Sequence, residues 1–179
     1  MITSAPMSFG AARCIRWLGL LGVVPALASC SGTTFDGHVL DAGDLAFRIG
    51  SVPSGFRRVD SDGALLAFRD DSLPATLAIS GRCGKDGDDV PLDALTHHLF
   101  LEFTDRQLET EETVTLDGRE ALHTELSAKL DGVAKHFSVV VFKKNGCVYD
   151  FVEITPPAVA PEARSNFVAF VEGFSTIKP

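Results

Sequence analysis

The sequence is poor in the residues that carry most recognisable chemistry. Its 179 residues include four cysteines, five histidines, one tryptophan and one tyrosine. It has no glycine-rich phosphate loop, and Gly50-Ser51-Val52-Pro53-Ser54-Gly55 lacks the Gly-x-Ser-x-Gly spacing of a nucleophile elbow. The most apolar stretch, Trp17 to Leu27, falls well short of the about 20 residues that a membrane-crossing helix needs. Gly19, Gly22 and Pro25 weaken it further as a helix. Basic residues are scarce as well: 16 Lys and Arg against 24 Asp and Glu give a net charge of −8. Such a chain repels nucleic acid and anionic headgroups.

What is present begins at the N-terminus. Residues 1–16 carry Arg13 and Arg16 and no acid, and the apolar stretch follows. A basic start, a short apolar core and small residues after it form a secretory signal. The segment closes with Leu27-Ala28-Ser29-Cys30, which resembles the lipobox of bacterial lipoproteins. That resemblance implies removal of residues 1–29, a diacylglyceryl thioether on Cys30 and an acyl chain such as palmitate on the freed amine. Each buried lipid methylene contributes about 0.8 kcal/mol, so two or three chains anchor a domain firmly. Ordinary cleavage after Ala28 stays open as the rival, and it would leave a secreted chain. Ser31 stands where inner-membrane retention signals have Asp, so the resemblance favours the periplasmic side of an outer membrane in a cell that has one.

Removing residues 1–29 leaves 150 residues, enough for one domain with its own core. The mature chain keeps 14 basic residues against 24 acidic, a net −10. Lipid, and not a basic patch, must therefore supply membrane attachment. Residues 30–43 are mostly small and polar and read as a lipidated tether, with a single domain over 44–179. Cys14 leaves with the signal and Cys30 is taken by lipid. Cys83 and Cys147 remain in a compartment that permits disulfides. They are expected to pair, the alternative being two separate buried thiols.

Apolar alternation predicts strands at 45–49, 56–59, 64–69 and 75–83, and the spacing of Leu92, Leu95, Leu99 and Phe103 predicts a helix over 91–103. A meander of strands follows at 107–116, 119–130, 133–143 and 147–155, joined at Asp117-Gly118, Asp131-Gly132 and Asn145-Gly146, the dipeptides that favour tight hairpins. A final helix spans 161–174, with Gly173 near its end. A two-residue loop at Asp131-Gly132 sets Leu122, Thr124, Leu126 and Leu130 opposite Val141, Val139, Phe137 and Val133, matching apolar faces. The same loop at Asp117-Gly118 would set Val114 beside Ala121 and Glu112 beside His123, on the polar side of the next strand. A three-residue loop over 117–119 with a glycine bulge is therefore expected there. Val139 and Val152 point one way, and Val140, Phe142, Tyr149 and Phe151 the other. The fold class that follows is α+β, a mostly antiparallel sheet with helices on both faces.

This order of elements, together with Val114-Thr115-Leu116-Asp117-Gly118-Arg119 and the closing Phe174-Ser175-Thr176-Ile177, resembles the PsbP-like α/β/α sandwich family over residues 44–177. The resemblance implies an accessory or binding module on membrane-associated machinery. It brings no binding residues to carry over.

A search for chemistry yields no catalytic, cofactor or metal set. His97 and His98 diverge by about 100° on their helix. His136 faces Ser127 in the register above, leaving it roughly 13 Å from His123 at about 3.3 Å per residue. Both read as exposed structural histidines. Asp86-Gly87-Asp88-Asp89-Val90-Pro91 puts proline where a calcium loop needs its glycine, so it reads as a solvated turn. Glu109, Glu111 and Glu112 read as a solvated strand edge. The function that follows is a non-catalytic, lipid-anchored envelope module with a protein partner. Its rival is a carrier of an apolar small molecule or lipid near Phe142, Tyr149 and Phe151, and a hydrolase ranks far behind. Cells fed a palmitate analogue should label the wild-type protein and not Cys30→Ala; equal labelling of the two would remove the anchor.

Overall fold

Val139, Val141 and Val148 form one buried apolar set, and Phe142, Tyr149 and Phe151 form another on the opposite side of the same strands. Strands that are apolar on both sides belong in the middle of a covered sheet. The computed structural model, which describes residues 32–84 and 90–178, places them there. Along the chain run β1 (Thr34–Phe35), β2 (Val39–Asp41), β3 (Ala46–Arg48), β4 (Arg57–Val59), β5 (Leu66–Asp70) and β6 (Ala75–Cys83). Next come α1 (Leu92–Leu99), β7 (Thr104–Leu116), β8 (Arg119–Leu130), β9 (Val133–Lys144), β10 (Cys147–Thr155), α2 (Ala160–Glu172) and β11 (Ser175–Thr176). The large sheet has the order β4-β5-β6-β10-β9-β8-β7 and the small one β1-β2-β3-β11; all their pairings are antiparallel.

Leu95 of α1 packs with Leu126, Phe137, Val139, Val141 and Val148. Phe167 and Phe170 of α2 belong to the other cluster, with Val140, Phe142, Tyr149 and Phe151. Leu40, Phe47 and Ile49 join that second cluster, so a small sheet shares the covering that was expected of helices alone. Each fully buried Phe or Leu contributes roughly 1.5–3 kcal/mol.

The segment expected as tether is folded from Thr34 onward. Leu40 is wholly buried, and the Phe35 ring meets Phe68 at 6.1 Å. The Asp36 carboxylate accepts the backbone N–H groups of His38 and Val39, closing the turn between β1 and β2. Phe35, Leu40 and Ala42 pack on the core, and β2 pairs with β3. The helix expected over 91–103 stops at Leu99; Phe100 and Phe103 follow as a turn, and their rings pack on Phe137. Gly173 follows α2 with φ −87°, not in a left-handed cap. A side chain there would collide with Gly50, whose N–H donates to the Phe170 carbonyl at 3.0 Å.

All three hairpins of the meander are two-residue turns, with positive φ at Asp117, Asp131 and Asn145 and at the glycine after each. The register across Asp131-Gly132 is the expected one. At Asp117-Gly118 the expected three-residue loop is absent: Leu116 faces Arg119, Val114 faces Ala121 and Glu112 faces His123. The side of β8 that carries His123, Glu125 and Ser127 is turned toward α2 and not toward solvent, so the polar-side objection to this register fails. The extra residue is absorbed inside the strand. Leu108 faces Leu126 and Thr110 faces Glu125, which leaves Glu109 as a bulge.

Cys83 and Cys147 are cross-strand partners between β6 and β10 and form the expected disulfide, with Cα atoms 4.0 Å apart. Their sequence separation is 64 residues, for which chain entropy gives roughly 4 kcal/mol at most. Replacing both cysteines by alanine should lower the unfolding free energy by about 2–4 kcal/mol, read as a fall in the urea midpoint with a steeper slope, because the unfolded chain without the cross-link is less compact. An unchanged midpoint would show that the bond adds nothing to stability.

Candidate functional site

The α2 side of the large sheet is apolar at one end and polar at the other. Register builds the polar end in rows. Glu125, Ser138 and Glu153 lie side by side across β8, β9 and β10, and Ser127, His136 and Thr155 form the next row. The rows sit beneath the N-terminal half of α2, which contributes Arg164. Glu125, Ser138, Glu153, Thr155 and His136 are all buried, Glu153 with 1% of its surface exposed and His136 with 9%.

The partners within the cluster are specific. Arg164 Nη2 donates to Glu125 Oε2. His123 Nε2 lies 2.9 Å from Ser138 Oγ and 3.8 Å from Glu125 Oε1, while its Nδ1 is 3.3 Å from Glu112 Oε1. Ser127 Oγ donates to Glu109 Oε1 at 2.6 Å, and His136 Nε2 lies 3.4 Å from Glu109 Oε2. Of the five partnerless buried side-chain atoms among the described residues, three lie in this cluster, His136 Nδ1, Thr155 Oγ1 and Glu153 Oε1; Thr124 Oγ1 and Asp150 Oδ1 lie outside it. Burial, and then the charge of Glu125, push the Glu153 carboxyl up to about 7 against the opposing pull of Arg164. On the α1 side another buried carboxylate, Asp150, accepts from Arg82 Nη1 at 2.6 Å; burial raises its pKa despite that partner.

The bulge in β7 brings Glu109 into this cluster. Carried on unbroken, the hairpin register would set Glu109 opposite Leu126, whose side chain belongs to the α1 cluster. As the extra residue it reaches Ser127 and His136 instead, a re-aiming that bulges commonly provide. Glu109, Glu125 and His136 each offer a ligand atom, and these lie within 4.8 Å of one another. A cleft of about 450 Å³ opens over Glu109 and His136, bordered by Ser127 and by Pro157, Pro161 and Arg164 at the entry to α2.

The sequence reading missed this assembly. His123 and His136, expected to be exposed, are largely covered. Glu109, Glu111 and Glu112 are exposed, as expected of a solvated edge, but the Glu109 carboxylate also reaches Ser127 and His136. His136 and Ser138 in β9 and Asp150 and Glu153 in β10 interrupt mostly apolar strands, and those interruptions were the available sign. His97 and His98 are exposed on α1. Phe142, Tyr149 and Phe151 are core residues, and Cys83 and Cys147 form their disulfide away from the polar rows. Cys30 and residues 86–89 lie outside the described residues.

No family model matches the chain, and no curated protein matches it. Solved structures do. The solution structure of cyanobacterial PsbP (CyanoP) from Synechocystis sp. PCC 6803 aligns with a TM-score of 0.57 at 18% identity, over 84% of this chain and 99% of that one. LpqN, described as involved in cell envelope biogenesis of Mycobacterium tuberculosis, aligns with a TM-score of 0.56 at 17% identity, over 76% and 87% of the two chains. The chain has a PsbP-like fold.

Glu153 generates a pH prediction. Its folded pKa of about 7 lies above the ordinary 4.5, so folding takes up a proton between those values and stability falls as pH rises through that window. Above it the penalty is complete, on the order of 3 kcal/mol. Glu153→Gln stays neutral and should melt above the wild type at pH 8, with the gap closing by pH 5. A gap that does not change with pH would contradict this reading of Glu153.

Proposed function

We propose that this PsbP-like domain is a non-catalytic accessory module of the bacterial envelope, lipid-anchored through Cys30, which binds a protein partner along β7. The observation that carries the reading is the exposure of that strand. Every residue from Thr104 to Thr113 is exposed, although β7 lies at the edge of a sheet whose other long strands are covered. A strand of this length with so little buried surface adds little to the core, and it offers a free backbone edge to an added strand.

Its side chains set the terms of binding. Leu108 is 61% exposed and borders a cleft of about 270 Å³ with Phe100 and Leu126. Glu111 flanks the same cleft, and Asp105, Glu109 and Glu112 line the rest of the strand. These acids and the bulge discourage indiscriminate edge pairing. A partner segment that is extended, basic and equipped with one apolar anchor fits them. The anchor on Cys30 is supported by the lipobox. No helix among the described residues is long and apolar enough to cross a membrane. The envelope role is supported by the likeness to LpqN.

The carrier reading finds less support. Where cargo would lie, between sheet and α2, rings fill the space: Tyr149 and Phe151 each meet Phe174 at 5.0 Å, and Phe142 meets it at 5.5 Å.

A photo-crosslinking amino acid in place of Leu108 should give a discrete protein adduct in intact cells. The same probe in place of Asp60, in the turn at the opposite edge of the sheet, should give none. Adducts from neither position, or equally from both, would remove β7 as the binding edge.

A further inference from the structure

We infer that Glu109, Glu125 and His136 form a binding site for a divalent transition-metal ion, with zinc the best match. The inference goes beyond the accessory function and does not depend on it. Three strands contribute one ligand each: β7 through its bulge, β8, and β9. The three ligand atoms lie within 4.8 Å of one another. Ligands on a tetrahedral zinc ion stand roughly 3.3 Å apart, so they need only draw inward. Glu109, at the exposed edge, can make that movement. The cleft lined by Glu109 and His136 opens two of the three ligands to solvent, and Glu125 lies buried behind them.

The polar accounting points the same way. His136 Nε2 faces the Glu109 carboxylate at 3.4 Å, while its Nδ1 is buried with no partner. A neutral imidazole has one N–H and one lone pair. With the proton on Nδ1, the Nε2 lone pair faces a carboxylate and the Nδ1–H is unsatisfied. With the proton on Nε2, the Nδ1 lone pair is stranded instead. A cation between Nε2 and the carboxylates turns the Nε2 contact of the first arrangement from repulsive to attractive, and Nδ1–H faces no acceptor in either case. Thr155 Oγ1, cross-strand from His136, and Glu153 Oε1 one row away are also buried without partners. Charge agrees. Glu109 and Glu125 bring two carboxylates to the site, and Arg164 is paired with the second of them.

The donor set selects the ion. Calcium and magnesium take oxygen ligands, whereas imidazole with carboxylate suits zinc and its neighbours. Arg164 on Glu125 and Ser127 on Glu109 are then outer partners that orient the two carboxylates.

The test is calorimetric titration of the chelator-stripped full chain with zinc chloride. One ion per chain is expected. Glu109→Gln and His136→Gln should each weaken binding by more than about tenfold, and His98→Gln, an exposed histidine on α1, should leave it unchanged. Glu109→Gln alters an exposed side chain, so it keeps the test open should His136→Gln fail to fold. Zinc K-edge absorption should report a nitrogen and oxygen shell without sulfur. Absence of zinc binding would overturn the site. So would affinity that survives Glu109→Gln, affinity that is lost with His98→Gln, or binding of calcium or magnesium without zinc.

Discussion

The pairing of β6 with β10 is the contact on which the rest of the molecule depends. Two meanders, β4-β5-β6 and β7-β8-β9-β10, are each held by local hairpins and connections. They become one sheet only where Cys83 to Thr76 align with Cys147 to Ile154. That seam sets Ile79 beside Phe151 and Leu77 beside Glu153, and so fixes where the apolar end of the α2 face stops and the polar end begins. The disulfide lies at one end of the seam. Its part is to limit how far the two halves separate in the unfolded chain, since the paired strands already hold them in the folded one.

On that seam the fold tolerates a costly arrangement. Glu125 and Glu153 are buried, and one of them is held by Arg164. The Arg164 side chain is 60% exposed, so the carboxylates alone are taken out of water, and a single cation at the surface offsets that cost only in part. An apolar continuation of the face would pack at least as well. What the polar rows supply is position: they fix Arg164, and with it the entry to α2, over one end of the sheet.

The parts of the fold that follow period and turn chemistry were legible. Asp131-Gly132 dictates its register because a two-residue turn there sets Leu122, Leu126 and Leu130 opposite Val141, Phe137 and Val133. The apolar two-sidedness of 133–155 places those strands centrally. The failures along β7 and β8 share one cause, which is that a sequence does not say which polar side is covered. His123, Glu125 and Ser127 look like a solvent face until α2 lies over them. The error moved the extra residue from Glu109 to the turn at 117–119, and it hid the cluster with it. Residues 34–41 failed for a smaller reason, since Phe35 and Leu40 are sparse anchors in a polar stretch.

Glu109 has the status of an insertion. The pairs on either side of it, Leu108 with Leu126 and Thr110 with Glu125, are successive rungs of a regular ladder once it is removed. A chain one codon shorter at this point would keep both rungs, each on its present face, and lose only the carboxylate aimed at His136. Most side chains in a sheet are tied to their strand's parity, so moving one across means moving all. Here a functional group was added to one face at no cost to the other, and its presence or absence is a length difference that can vary among related chains while the fold stays the same.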